Sequence, residues 1–230
     1  MAVSGSTDFS QSRDELIKDA LSKLGAVGPD KTPSGAQLAH AARALNRVVK
    51  SIDPDGDFLW RVVERTATTT NGTGTFTPET DVIAIDEPMN YKRSGENGRS
   101  VIRAISRDDW MALSDRTQTG APSLFYVSET LSGLTVSLWP VPDATGDTVT
   151  YNAVLRSQDF DTGANTQDFP PEWTGCLIYG LAADLAPDYK QAALGQQLRG
   201  WFLDEKNRLL NAGTEQGNVI LVPFGSMGGY

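Results

Sequence analysis

The sequence has very few residues of the kinds that build metal and redox sites. Its 230 residues include one cysteine and one histidine. A single cysteine excludes a disulfide framework and a zinc site made of several thiolates, and a single histidine excludes a centre made of several imidazoles. No apolar run approaches the roughly 18 residues that span a bilayer. The first residues show no basic region followed by an apolar stretch, so we expect no secretory signal and a soluble protein made in a cytoplasm.

Basic residues are also scarce relative to acidic ones. The chain has 20 Lys and Arg against 29 Asp and Glu, a net charge of -9. A protein that grips nucleic acid through its phosphates needs clustered cations, so that class is not favoured. Residues 57–167 hold most of the acidic excess, with 9 basic and 15 acidic side chains, whereas residues 1–56 carry 7 of each. Hydrophobic residues make up 39% of the chain, which is enough for a folded core.

Residues 1–56 are typical of two helices that pack as an antiparallel hairpin. Ser10 or Ser12 can cap the first helix, and Gly25 can end it. The second helix has apolar residues at spacings of 4, 3, 4 and 3, as expected for a bundle. The apolar faces of the two helices are Leu16, Ile17, Ala20, Leu21 and Leu24, and then Leu38, Ala42, Leu45, Val49 and Ile52.

Residues 57–167 are typical of a β-rich domain, either a sandwich or a barrel. Asn71-Gly72 and Asn97-Gly98 are two-residue hairpin signals. Runs rich in Val, Ile and aromatic residues predict five strands, and one short stretch favours a helical turn. The strands are predicted at 82–85, 101–105, 124–127, 134–139 and 148–155, and the turn at 108–113.

Residues 168–216 predict two more helices. The first, from Trp173 to Leu185, is apolar on most faces and therefore expected at the centre of the helices. The second runs from about Gln191 to Ala212 and carries Leu194, Leu198, Trp201, Phe202 and Leu209. The fold class is thus α+β: an antiparallel bundle of N- and C-terminal helices with an inserted β-rich domain. Its parts are a helical hairpin (1–56), the insertion (57–167), the completing helices (168–216) and an extended tail (217–230).

No catalytic, cofactor-binding or metal-ligating residues are assigned. Asp53, Asp55 and Asp57 resemble the start of a calcium-binding loop, but Phe58 stands where the turn requires glycine. Cys176 lies within an apolar stretch, where a buried thiol is inert, so a nucleophilic pair with His40 is not favoured. We therefore expect a protein that is not an enzyme and has no cofactor.

Two features are candidates for contacts between proteins. The second helix carries a basic stripe, which is either a solvated face or an interface with an acidic neighbour such as another copy of the chain. We take it as a subunit interface, formed by His40, Arg43, Arg47 and Lys50. The tail contains an uncharged strand-forming run, which is either an edge strand of its own domain or a strand grafted onto a partner. Its residues are Val219, Ile220, Leu221, Val222 and Phe224, followed by a glycine-rich end at Tyr230.

Four stretches together resemble bacteriophage head-to-tail connector (adaptor) proteins of the tail-tubular-protein-A kind. They are SRDELIKDALSKLGA, AARALNRVVKSI, LWPVPD and DFPPEWTGCLIYGLAADLAPDY. The resemblance implies a structural virion protein, located at the head-tail junction and assembled in the host cytoplasm. Such adaptors form a ring, commonly of twelve copies, below the portal protein. The ring extends the DNA channel without sequence-specific binding and docks the tail nozzle or tube, away from any membrane.

The resemblance also implies a role for the tail and for the net charge. C-terminal tails in this kind of protein often reach the portal, which assigns portal docking to Val219–Val222, Phe224 and Tyr230. A ring of acidic subunits would repel DNA phosphates, so we expect a channel surface that is acidic or neutral. One alternative is a tail or baseplate module that recognises glycan or receptor, with Trp110 and Trp139 as candidates, although both are expected in the core. A second alternative is a cell-wall hydrolase with paired carboxylates.

Overall fold

The computed structural model describes residues 9–28, 30–52, 58–131 and 133–212. Within these residues the chain is a mixed α+β protein with five α-helices and a curled seven-stranded sheet. The helices are α1 (Arg13–Lys23), α2 (Gly35–Ile52), α3 (Arg107–Ala112), α4 (Thr174–Leu185) and α5 (Ala192–Ala212). The strands are β1 (Val62–Thr68), β2 (Thr75–Phe76), β3 (Val82–Lys92), β4 (Ser100–Ala104), β5 (Leu124–Thr130), β6 (Gly133–Trp139) and β7 (Thr148–Leu155). Short 3-10 helices at Leu59–Arg61 and Pro171–Trp173 precede β1 and α4.

Both ends of α1 follow from local sequence signals. Ser12 accepts a hydrogen bond from the amide of Glu15, and the Glu15 carboxylate accepts one from the Ser12 amide, which forms a capping box. After the helix, Gly25 adopts a φ of 67°, a conformation that favours glycine. The amides of Gly25 and Ala26 then donate to carbonyl oxygens in the last turn, as in a Schellman motif. The predicted start at Ser12 and stop at Gly25 are confirmed.

The helices share one hydrophobic core. Helix α4 packs against α1, α2 and α5, so its predicted central position is confirmed. Because α1 and α2 precede the sheet in the chain and α4 and α5 follow it, this core joins the two ends of the described chain. Its largest fully buried side chains are Leu16, Ile17, Leu21, Leu45, Ile52, Leu177, Leu181, Leu185 and Leu198.

The sheet has its own hydrophobic core and a mixed topology. Its strand order is β1-β7-β3-β4-β5-β6-β2. All neighbouring strands are antiparallel except β4 and β5, which are parallel and are connected through α3. Phe76 on β2 and Tyr151 on β7 have ring centroids 5.5 Å apart, although their strands are far apart in the order. The sheet therefore curls so that its opposite regions share one core.

The five predicted strands are present as β3 to β7, but the predicted turn at Asn71-Gly72 does not form a hairpin. The strands on either side of it, β1 and β2, lie at opposite edges of the sheet. A two-residue hairpin of type I′ needs a positive φ at both central residues. Here only Gly72 has one, at 75°. The turn therefore carries the chain across the curl of the sheet from one edge to the other.

The second predicted hairpin exists with a different turn. Strands β3 and β4 pair, with Tyr91 opposite Ser100. The tight turn between them is at Ser94-Gly95, where Gly95 has a φ of 82°, and Asn97-Gly98 lies in the loop that follows. A hairpin that the sequence did not predict joins β5 and β6 through a two-residue connection, with Thr130 opposite Gly133.

Candidate interaction surfaces

The basic stripe of α2 lies against acidic side chains of the same chain. His40 Nε2 is 2.8 Å from Asp188 Oδ2, and Arg47 Nη2 is 2.7 Å from Asp184 Oδ2. The Asp188 and Asp184 carboxylates lie just beyond the end of α4 and in its last turn. All four side chains are well exposed, so each pair contributes about 0–1 kcal/mol to stability. The acidic neighbour expected for the stripe is, for these two residues, the chain's own α4 region.

The other two members of the stripe differ from each other. Lys50 Nζ is 2.9 Å from Asp159 Oδ1 and donates to the carbonyl oxygen of Ser157 at 2.5 Å. Lys50 therefore joins α2 to the segment that leaves the sheet. Arg43 is exposed and has no salt bridge within the described residues. Arg43 is thus the member of the stripe whose charge is available to another molecule.

A groove of about 300 Å³ lies beside the stripe, between α2, α4 and α5. Its floor is formed at a close approach of the helices, at Gly180 of α4. A Cβ atom at this position would lie 2.9 Å from both the Phe202 ring and Val48 Cγ1, so only glycine allows this packing. The groove is lined by Val48, Ser51, Gly180, Ala183, Asp184, Pro187, Arg199, Phe202 and Leu203. Its lining thus combines apolar side chains with polar surface that includes one cation and one carboxylate.

Helix α5 exposes two large apolar side chains, of which Leu203 lines the groove. Trp201 is 52% exposed and Leu203 is 39% exposed. Helix α5 packs against α4 and against the 3-10 helix that precedes α4. Of the residues of α5, only Gly195, Leu198 and Leu209 become buried. Trp201 instead contacts Tyr179 edge to face at 5.7 Å. Helix α5 therefore exposes apolar surface that is suited to contact with another protein.

An aromatic cluster lies where the chain passes between helices and sheet. Phe58 and Trp173 meet edge to face at 5.3 Å, and Trp60 and Phe169 pack beside them. The buried guanidinium of Arg61 lies 5.3 Å from the Phe58 ring centroid and donates to the Ser157 hydroxyl. The cluster lies at the two predicted domain boundaries, near residues 57 and 167. Sequence reasoning placed those boundaries but did not predict that aromatic residues join them.

The segment after β7 is also tied to the first two helices. The amide of Phe160 donates to Asn46 Oδ1 on α2 at 2.9 Å. The amide of Arg13, the first residue of α1, donates to the carbonyl oxygen of Asn165 at 2.8 Å. The position of the sheet relative to the helices is therefore fixed by hydrogen bonds as well as by the aromatic cluster.

A buried carboxylate organises the opposite end of the sheet. Asp147 accepts hydrogen bonds from the Tyr91 hydroxyl and from the Ser94 amide, which holds the pKa of Asp147 below its ordinary value. Burial and the neighbouring carboxylate raise the pKa of Tyr91. Both groups are therefore locked in one protonation state at neutral pH. Their contacts fasten the turn after β3 to the start of β7, which is a structural role.

The side chains considered for nucleophilic chemistry are not brought together. His40 contacts Asp188, whereas the Cys176 thiol lies 3.9 Å from the carbonyl oxygen of Phe202. Burial raises the pKa of Cys176 to about 12, so the thiol stays protonated and unreactive. Among the described residues, no group of three or more His, Cys, Asp or Glu side chains could hold a metal ion. No helix in that part of the chain is long and apolar enough to cross a membrane.

Trp110 and Trp139 lie outside the core of the sheet, contrary to expectation. Trp139 follows the buried Leu138 on β6 and so points to the other face, where its indole nitrogen donates to the carbonyl oxygen of Asp115 at 2.8 Å. Trp110 on α3 stacks on Tyr126 at 5.8 Å. Both rings are half-buried between the sheet and the segment that crosses its outer face, rather than displayed on an open concave surface.

Two sequence predictions lie outside the described residues. One is the calcium-like pattern at Asp53, Asp55 and Asp57. The other is the portal-docking run, formed by Val219, Ile220, Leu221, Val222, Phe224 and Tyr230.

Comparison with known proteins gives one family. The profile of the family described as SU10 adaptor protein matches residues 12–220, from the cap of α1 to beyond the end of α5. A search of curated proteins found no match.

Proposed function

We propose that this chain, which belongs to the SU10 adaptor protein family, forms a ring below the portal of a bacteriophage and connects the head to the tail. The family makes it a structural adaptor protein of the virion, which interacts with other phage head and tail proteins. The match over residues 12–220 carries the proposal, because it includes all the helices and strands described above. The family favours neither the glycan-binding module nor the cell-wall hydrolase.

In this proposal the helices form the body that repeats around the ring. The N- and C-terminal helices act as one antiparallel bundle, and residues 57–167 project from it as an inserted domain. The shared core around α4 supports this division, as does the separate core of the sheet. A closed ring needs two unlike surfaces on each copy. The stripe of His40, Arg43, Arg47 and Lys50, with the exposed apolar side of α5 beside it, supplies one of them.

The remaining parts of the proposal concern the portal, the tail and the DNA. Residues 217–230 dock on the portal protein through Val219–Val222, Phe224 and Tyr230, and about twelve copies complete the ring. The assembled subunits present an acidic or neutral surface to the DNA channel. DNA passes through without sequence-specific contact, and the far side of the ring docks the tail nozzle or tube. The net charge of -9 per chain supports this lining.

Mass measurement of the full chain, alone and with its portal protein, tests the proposal. We expect a complex whose mass corresponds to a ring on the portal. A variant that ends at residue 216 tests the docking segment, and we expect it to fold normally but to lose attachment to the portal. Full attachment of the shortened chain would overturn the role of the tail. A single copy per portal complex would overturn the ring.

A further inference from the structure

The hairpin between β5 and β6 presents an exposed leucine at its tip. Leu131 is 112% exposed, the highest value among the large hydrophobic side chains of the described residues. Next to it, β5 and β6 pair along their whole length, and the Thr130 hydroxyl donates to the carbonyl oxygen of Gly133 at 2.9 Å. Leu131 is thus an exposed apolar side chain at the end of two fully paired strands.

The groove between α2, α4 and α5 has the size and chemistry to hold such a side chain. Its volume of about 300 Å³ exceeds that of a leucine side chain, and Val48, Phe202 and Leu203 give it apolar walls. The helices lock its shape, because the close contact at Gly180 fixes α4 against α5. A leucine buried there would gain on the order of 1.5–3 kcal/mol from the hydrophobic effect alone.

The charges beside the two features are complementary. Arg199 lines the groove, and Glu129 stands two residues before Leu131 on the exposed part of the hairpin. Neither residue has a salt bridge in the part of the chain that the structure describes. The hairpin also belongs to the acidic residues 57–167, and the groove's own carboxylate, Asp184, is already paired with Arg47. Contact between the hairpin and the groove would bring opposite charges together.

The positions of the two features suit neighbours in a ring. Leu131 and Arg156 line the same cavity, and the carbonyl oxygen of the next residue, Ser157, accepts the hydrogen bond from Lys50 near the end of α2. The groove reaches the same end of α2, because Ser51 lines it. Both features therefore lie near the end of α2 that meets the sheet. In a ring whose axis runs along α2, rotation does not shift a copy along that axis, so these two features can meet between rotated copies.

We propose that the β5–β6 hairpin of one copy inserts Leu131 into the groove between α2, α4 and α5 of the next copy, with Glu129 against Arg199. This inference rests on the proposed ring and identifies the two unlike surfaces that close it. The contact is heterologous, because the hairpin and the groove are different parts of the chain.

Cysteine cross-linking in assembled particles tests the contact. The full-length chain carries Leu131→Cys with Leu203→Cys, and we expect mild oxidation or a short bis-maleimide to join neighbouring copies into covalent multimers. A control pairs Leu131→Cys with Met111→Cys, which is more exposed than Leu203 (62% against 39%) but lies on α3 away from the groove. The control pair should give no multimers. An amine-reactive cross-linker, applied to the same particles, reports separately whether the copies form a ring.

Each outcome decides between the two proposals. Multimers from the 131–203 pair support the inserted hairpin. If the amine reagent gives multimers but the 131–203 pair gives no cross-link, the inference is overturned and the proposed ring is still supported. A 131–203 cross-link within one chain has the same meaning. The absence of multimers with either reagent overturns the ring and the inference together.

Charge reversal provides a second test. Glu129→Arg or Arg199→Glu alone should lower the assembled fraction about two- to fivefold, and the double variant should restore it. Additive losses in the double variant would contradict the pairing of these two charges. Because both side chains are exposed, we expect an unchanged Tm for each variant.

Discussion

Gly180 on α4 lies so close to Phe202 on α5 that a Cβ atom at position 180 would be 2.9 Å from the ring. We therefore expect Gly180→Ala to lower the free energy of unfolding by about 1–3 kcal/mol, since the added methyl group forces the helices apart. Urea denaturation measures the change. A loss below about 0.5 kcal/mol would contradict the tight packing of these helices.

Gly175 provides the matched control in the same helix. A Cβ atom there meets nothing within 4 Å. Alanine is favoured over glycine in a helix by up to about 1 kcal/mol, so Gly175→Ala should leave the free energy of unfolding unchanged or raise it. The difference between the two variants isolates the contact at Gly180 from the general effect of replacing a helical glycine.

The bond from the Tyr91 hydroxyl to the buried Asp147 carboxylate predicts a pH-dependent variant. Tyr91→Phe should lower the free energy of unfolding at pH 7 by about 1–3 kcal/mol, because it leaves a buried charge with one fewer donor. The pKa of Asp147 is held below its ordinary value of 3.8, so this stabilisation is present above that pH and is lost as pH falls below it. Denaturation at several pH values should therefore show the variant approaching the native chain in acid.

Tyr151→Phe is the control for the previous prediction. Tyr151 is also buried in the sheet, but its hydroxyl reaches the exposed Glu79 carboxylate only at 3.5 Å. We expect a smaller loss with little dependence on pH. Equal losses in the two variants would show that the Asp147 contact has no special effect.

Cys176 should be protected from thiol reagents in the folded protein. Its side chain is fully buried, and burial raises its pKa to about 12, so almost no thiolate exists at pH 8. We expect labelling by a chromogenic disulfide reagent only after denaturation, with one thiol released per chain. Rapid labelling under native conditions would indicate that α4 opens readily from the other helices.

Arg43 should matter for assembly and not for folding. It is exposed, and no salt bridge holds it among the described residues, so Arg43→Glu should change the free energy of unfolding by less than about 0.5 kcal/mol. If the stripe meets a neighbouring copy, the same change should lower the fraction of chain found in rings, measured by native mass. Arg99→Glu makes the same charge change on an exposed loop of the sheet and should leave assembly intact.

The helices could be predicted because their signals are local. The cap at Ser12, the stop at Gly25 and the apolar face of α2 all lie within a few residues of the structure that they specify. The carboxylates that pair with the stripe do not: Asp188 is 148 positions from His40, and Asp184 is 137 positions from Arg47. Periodicity identifies a charged face, but only the packing of α2 on α4 determines which acids it meets.

The features that sequence reasoning missed also have physical causes. Which residues of α5 become buried depends on its neighbours, because α5 packs against α4 on one side and leaves Trp201 outside. The Asn71-Gly72 signal specifies a turn, but the partners of the flanking strands depend on pairings with β6 and β7 that form far along the chain. The groove required the close approach at Gly180, which in sequence is one small residue among several.

The aromatic cluster of Phe58, Trp60, Phe169 and Trp173 joins two segments of the chain. In it, the segment just before the sheet and the segment after the sheet lie within about one ring diameter of each other. The chain therefore leaves the helices for the sheet and returns to them at the same place, the aromatic cluster. A segment whose two ends lie close together can change in length without altering the path of the helices on either side. We expect relatives of this chain to keep the aromatic cluster and to differ most in the size of the sheet region between its two halves.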